Sequence, residues 1–240
     1  MVIGRFGASR VASVTLGIVM VTVAFLLPGA ISSPAPASPK LDAETHFSSF
    51  FAGKNNNLLD SGWNACAGAI TWSVDTGSLP TRTAAVEIKR LKSAFQKWSE
   101  ATGLAFQFQG TSVMSYDRTS HHLSASEIPQ TRHIAIAVMP ASASPLLKSH
   151  VYGFGMPSLV MDSSNEIIGG ALVLKEEVVL AKTQRDPKTL DNLYLHELGH
   201  VMGLGHVSKT SEIMFPTIYR KTTLGSGDIT GATTITQRCR

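Results

Sequence analysis

The sequence predicts an α/β fold built as one domain, and three observations carry that prediction. Apolar and polar residues alternate at 69–74, 104–108 and 134–138, the period-two pattern of strands, and an apolar run at 167–174 reads the same way. Between the first two strands, Ile88, Leu91, Phe95 and Trp98 repeat at a 3-4-3 spacing, one face of an amphipathic helix. A second helical stretch at 187–202 carries chemistry as well as packing. With 240 residues and 43% hydrophobic content, the chain is long enough to bury one well-packed core. A charged content of 16% excludes a disordered, highly solvated chain.

Residues 1–32 read as a signal peptide. Arg5 and Arg10 form a positive start, residues 11–27 carry no charge, and Pro28-Gly29 and small residues follow. Small residues at 30–32 and 35–37 both suit a cleavage enzyme, so the cut is expected after 32 or as late as 37. An uncharged run of about 17 residues is near the short limit for a spanning helix, which leaves an uncleaved signal-anchor as the alternative. The formal net charge is +4, and two of those charges lie in the leader. The remainder, about +2, forms no basic cluster and excludes a nucleic-acid partner. The expectation is a secreted protein with no membrane contact once the leader is gone.

Residues 33–60 are rich in Pro, Ala and Ser and then Asn, which reads as a linker or short pro-segment, too short to fold alone. Phe47, Phe50 and Phe51 are its candidates for docking on the domain, which is expected over 61–240. Cys66 is read as lying inside the first strand. Cys66 and Cys239 are the two cysteines, and an even pair in an oxidising compartment reads as a disulfide. Residues 77–80 make a turn, the helix spans 84–101, and Gly103 ends it. Pro140 closes the strand at 134–138, and residues 140–166, with Pro145, Gly153, Gly155 and Pro157, read as loop. Asp186-Pro187 opens the second helix as an N-cap acid followed by Pro at its first position.

Residues 196–206 carry the chemistry: His196-Glu197-x-x-His200-x-x-Gly203-x-x-His206. Histidines four apart on a helix share one face and can hold one metal ion. Gly203 lets the chain leave the helix and return His206 as a third ligand. Three nitrogen ligands with a fourth position open is the arrangement of a catalytic zinc. Such an ion supplies Lewis acidity toward a water and a carbonyl, and Glu197, which does not itself ligate, is the candidate general base.

This eleven-residue motif resembles that of the metzincin zinc peptidases. Ile213-Met214-Phe215-Pro216, eight residues beyond His206, resembles the clan's Met-turn, and its Met-Phe-Pro order is most similar to the matrixin branch. Residues 89–108 resemble the first helix and second strand of matrixin catalytic domains. The resemblance implies a twisted, mostly parallel sheet with one antiparallel edge strand, a packing helix, a zinc helix below the cleft and a small C-terminal subdomain. It implies a secreted zinc-dependent endopeptidase, acting on a polypeptide substrate as a monomer. Met214 would be the apolar floor under the histidines. Residues 224–231 resemble the start of the matrixin C-terminal helix; where the family often has two acids, this chain has Gly227-Asp228, so only Asp228 carries over, in a structural role.

Four further expectations follow from the resemblance. The strand at 167–174 would be the edge strand, with Gly170 and Ala171 pairing with substrate backbone; an ordinary β-bulge is the plainer reading of the glycines. Pro216 and Tyr219 would line the pocket beyond the scissile bond, with Tyr219 as a further metal ligand or without a role as the alternatives. Matrixin propeptides cap the zinc with a cysteine, but Cys66 lacks that motif's flanking residues. Matrixins can also carry calcium and a second zinc. No Asp-rich loop supports calcium, and His121, His122, His133 and His150 have neither the spacing nor the acids for a second zinc. One zinc is therefore expected. Two other functions fit the residues: a module that binds a peptide or cell-surface polymer without cutting it, and a zinc hydrolase of a non-protein amide.

Overall fold

The computed structural model describes residues 49–50, 61–120, 122–125, 131–148, 150–159 and 166–236. The leader, most of the linker with Phe47 and Phe51, and Cys239 lie outside the described residues.

Strand β1 (Ile70–Asp75) is followed by helix α1 (Thr81–Thr102) and strand β2 (Phe106–Thr111), which pairs parallel to β1. This is a βαβ unit, two parallel strands joined through a helix. Helix α1 turns Leu91, Phe95 and Trp98 of the predicted stripe inward together with Ala94, Ile88 packs partly buried beside them, and Gly103 ends the helix in a left-handed conformation. A small hairpin of β3 (Met114–Tyr116) and β4 (Leu123–Ala125) precedes β5 (His133–Met139), which is buried along its whole length. Strand β6 (Gly153–Leu159) and strand β7 (Ile167–Lys175) complete a five-stranded sheet in the order β2-β1-β5-β7-β6. All its pairings are parallel except β6 with β7. Helices α2 (Glu176–Arg185), α3 (Pro187–Val201) and α4 (Ser226–Thr236) follow. The α/β class and the mostly parallel sheet with an antiparallel edge strand are therefore as expected.

The core lies between the sheet and the helices α1 and α3. Trp63, Trp72, Trp98 and Tyr194 are its largest fully buried side chains. Two of the indoles also serve α3: Trp98 Nε1 donates to Leu195 O at 3.1 Å and Trp63 Nε1 donates to Val201 O at 2.9 Å. Each large apolar ring thus carries its one polar group to a backbone acceptor.

Three expectations are corrected here. Residues 140–166, read as loop, contain β6. Its Gly153, Gly155 and Pro157 imitate loop composition, yet Pro is tolerated on a sheet edge, where no ladder partner needs its N–H. As a result β7 is not the edge strand: Gly170 pairs with both Ile134 and Pro157, and Ala171 with both Ala135 and Met156. Both sides of their backbone are occupied within the sheet, so Gly170 and Ala171 do not present a strand to substrate. The Gly170 Cα instead lies against Val201 of α3, where a side chain would collide. Lastly, Cys66 lies in an exposed turn ahead of β1, not inside it. No helix among the described residues is long and apolar enough to cross a membrane.

Candidate active site

Helix α3 presents His196 and His200 one turn apart, both buried, and the chain turns at Gly203 to bring back His206. Gly203 adopts φ 102°, a conformation that side-chain-bearing residues rarely reach. The nitrogens of the three histidines converge: His206 Nε2 is 3.1 Å from both His196 Nε2 and His200 Nε2. Each helical ligand is oriented from behind. His196 Nδ1 donates to Ile213 O and His200 Nδ1 donates to Leu204 O, both at 2.8 Å. With Nδ1 carrying the proton, the Nε2 lone pairs are turned inward together.

Burial holds the imidazoles neutral. Desolvation and the proximity of His206 push His196 down to about 4, desolvation and the proximity of His196 and His206 take His200 well below its ordinary value, and desolvation lowers His206. Neutral imidazole is the form that ligates a metal. Three such donors, aimed at one point and fixed by outer hydrogen bonds, fit a zinc ion with one position left for a reacting group. Among the described residues these three histidines are the group of three or more ligating side chains close enough to hold a metal.

Glu197 is buried and lines a cavity of about 200 Å³ together with His196. Burial pushes its carboxyl up to about 8, against the pull of a hydrogen bond from the Gly155 backbone. Strand β6 lies directly on α3 here. A Cβ on Gly155 would overlap the backbone carbonyl of Glu197, and one on Gly153 would fall 2.8 Å from Val173 O. The absent side chains at alternate positions of β6 are what allow the edge strand to approach the base.

Met214 is 1% exposed and its sulfur occupies the space where a side chain at Gly199 would fall. Asp228 holds this turn in place by accepting Ile213 N at 2.7 Å, Met214 N at 3.1 Å and Gly225 N at 2.7 Å. Glu212 was not singled out from sequence. Its buried carboxylate accepts the amides of Gly227 (2.9 Å) and Asp228 (3.1 Å) at the start of α4. An acid ahead of Met214 thus caps α4 across the turn.

The cavity wall departs from expectation at Tyr219. His150, Tyr152, Gly153, Leu193, Pro216, Thr217 and Ile218 line the cavity with His196 and Glu197. Pro216 is among them; Tyr219 is not. Tyr219 is 47% exposed, and its ring stacks on Phe215 at 5.6 Å. The extra residue between Pro216 and Tyr219 moves Ile218 into the position on the wall. Asn192 fixes this segment, donating to Lys221 O at 3.0 Å and accepting Tyr219 N at 2.9 Å. It was missed in the sequence, although it stands four residues before His196 and so on the same helical face.

His133, His150 and His122 do not join the histidine cluster. His133 is buried between Thr71 Oγ1 (2.8 Å) and Ser73 Oγ (2.9 Å), and desolvation takes it down to about 4.

Residues 159–236, which contain the histidine motif, the Met-turn and α4, match the model of the matrixin family of M10 peptidases. No curated protein matches the chain. The family match and the histidine cluster support a zinc metallopeptidase type of function.

Proposed function

Starting from a matrixin-like metzincin domain, we infer that the protein is a zinc-dependent endopeptidase acting on extended polypeptides outside the cell. The observation that carries this reading is the convergence of three neutral histidines beside a buried carboxylate that lines a cavity.

His196, His200 and His206 would hold the zinc ion, which when bound supplies Lewis acidity toward a carbonyl and a water. Glu197 takes the proton of the attacking water and later delivers it to the leaving amide nitrogen. The hydrogen bond from the Gly155 backbone orients the carboxylate without saturating it. Substrate backbone would pair with the outer side of β6, the end strand of the sheet, and not with β7. Seven residues of edge strand favour a chain that runs past the site in both directions, hence cleavage of internal bonds. Leu193, Tyr152, Pro216 and Ile218 give the cavity an apolar lining for one substrate side chain.

Export follows from the leader, and in that compartment the exposed Cys66 pairs with Cys239 to join the start and end of the domain. The protein acts as a monomer.

The test is cleavage of a peptide library by the wild type and by Glu197→Gln at equal zinc content. Internal cleavage by the wild type, reduced about 10³-fold or more in the variant, is expected. Equal zinc in both with cleavage by neither would refute the endopeptidase reading and leave a binding module or a non-protein amide as substrate.

A further inference from the structure

We propose that Ser49 and Phe50, in the segment ahead of the domain, are positioning residues for the metal ligands and form a strap that belongs to the functional unit. The proposal rests on the metal site described above.

Both residues are buried, Ser49 at 5% and Phe50 at 8% exposure, although their neighbourhood in sequence has the composition of a linker. Their contacts fall on the turn between the second and third ligands. Phe50 N donates to Gly203 O at 2.7 Å, and Ser49 forms an antiparallel bridge with Leu204. The Phe50 ring meets the His200 imidazole edge-on, with centroids 5.4 Å apart.

Each of these points matters to ligand geometry. Leu204 O is the acceptor that orients His200 Nδ1. Gly203 is where the helix ends and the chain swings back toward His206. Inside the turn, Gly203 N donates to His200 O and Leu204 N donates to Gly199 O, both at 2.9 Å. The strap adds a bond from outside and closes one side of the His200 ring. Neither Ser49 nor Phe50 is among the residues that line the cavity beside Glu197. The strap ties down, from outside, the buried turn that delivers His206, and partners of this kind behind metal ligands govern affinity. A protein shortened to residue 61 would lose the strap altogether.

The experiment measures zinc affinity of the full chain by competition with a chromophoric chelator, alongside thermal unfolding of the zinc-free protein. Phe50→Ala is compared with Phe50→Leu and with Leu79→Ala. Leu79 is equally buried, at 8% exposure, but sits in the turn ahead of α1. Phe50→Ala should bind zinc about tenfold more weakly or worse. Phe50→Leu, which refills the space, and Leu79→Ala, which softens the core elsewhere, should stay within about threefold of wild type. Unchanged affinity in Phe50→Ala overturns the proposal, and so does an equal loss in Leu79→Ala, which would make the effect one of general stability. A wild type that binds no zinc overturns the metal reading itself and this inference with it.

Discussion

The two faces of α3 hold polar groups under opposite conditions. On the face toward the cavity, Glu197 is buried with a hydrogen bond from the Gly155 backbone, and three imidazoles direct lone pairs at one another. Against its other face packs α1, whose Glu87 is fully buried yet saturated. It accepts Tyr194 Oη at 2.7 Å and Arg90 Nε at 3.0 Å on one oxygen and Thr183 Oγ1 at 2.9 Å on the other. Arg90 goes on to Pro187 O at 3.0 Å and to Asp191. Both carboxylates are buried in the same domain. The unsaturated side can bind a metal and move a proton; the saturated side can do neither, and fixes the helix that carries the first. Polar burial is tolerated for chemistry at one face because it is fully compensated at the other.

The largest effect expected from breaking this arrangement is at Glu87. Glu87→Ala leaves the Arg90 guanidinium and the Tyr194 hydroxyl without their buried partner, which should cost about 3–5 kcal/mol of stability. Chemical denaturation of the zinc-free protein would measure it. The same substitution should leave the cavity chemistry of surviving folded protein in place. A loss below about 1 kcal/mol would mean that the network contributes little, and the contrast between the faces would fail.

The next effect concerns pH. Folded His133 stays unprotonated down to about 4, because burial between Thr71 and Ser73 desolvates it, whereas its ordinary value is 6.5. The folded state therefore binds fewer protons than the unfolded chain between these values. Its contribution is complete above 6.5 and is lost as pH falls toward 4. The loss amounts to about 3 kcal/mol at 1.36 kcal/mol per unit. Comparing wild type with His133→Gln by denaturation across that range isolates it, since the ligand histidines are common to both. The wild type's advantage should shrink on acidification; a constant difference would mean that His133 does not titrate with folding.

A smaller effect tests one spoke of the network. Tyr194→Phe removes the hydroxyl on Glu87 Oε2 while keeping the ring that fills the core. The cost should be about 1–2 kcal/mol, read from the denaturation midpoint at unchanged slope.

The same contrast explains what could be read from the sequence. The cavity face of α3 was legible because its chemistry demands fixed residue types at fixed spacings: two histidines at i and i+4, an acid beside the first, a glycine and a third histidine. Stripes such as Leu91, Phe95 and Trp98 were legible for a similar reason, since burial on one helical face imposes a period. Glu87 was not, because it stands on that same buried stripe as a charge two of whose three partners come from 96 and 107 residues away. Strand β6 was hidden because Gly153 and Gly155 are selected by contact with Glu197, not by strand propensity, and so read as loop. The misplacement of the substrate edge onto Gly170 and Ala171 followed directly: without β6, β7 becomes the last strand. Tyr219 missed the wall through one extra residue in a segment whose path is set by Asn192.

The smallest expected effect has the opposite sign, and it distinguishes a reactive buried group from a structural one. Glu197 is desolvated with little compensation, so in the zinc-free protein it opposes folding at neutral pH. Glu197→Gln keeps the shape and removes the charge. It should therefore raise the zinc-free melting temperature by a few degrees, on the scale of about 2–4 °C per kcal/mol for a domain of this size. The gain should fade as pH falls toward 4.5, where the unfolded chain is protonated as well and folding no longer has to take up a proton at this carboxyl. The same change at the other face, Glu87→Gln, should only destabilise, because its carboxylate is matched to an arginine. Stabilisation at 197 with destabilisation at 87 would establish that the helix spends stability on one face to keep a base reactive. Equal losses at both positions would show that Glu197 is as well satisfied as Glu87, and the division between a reactive and a supporting face would have to be abandoned.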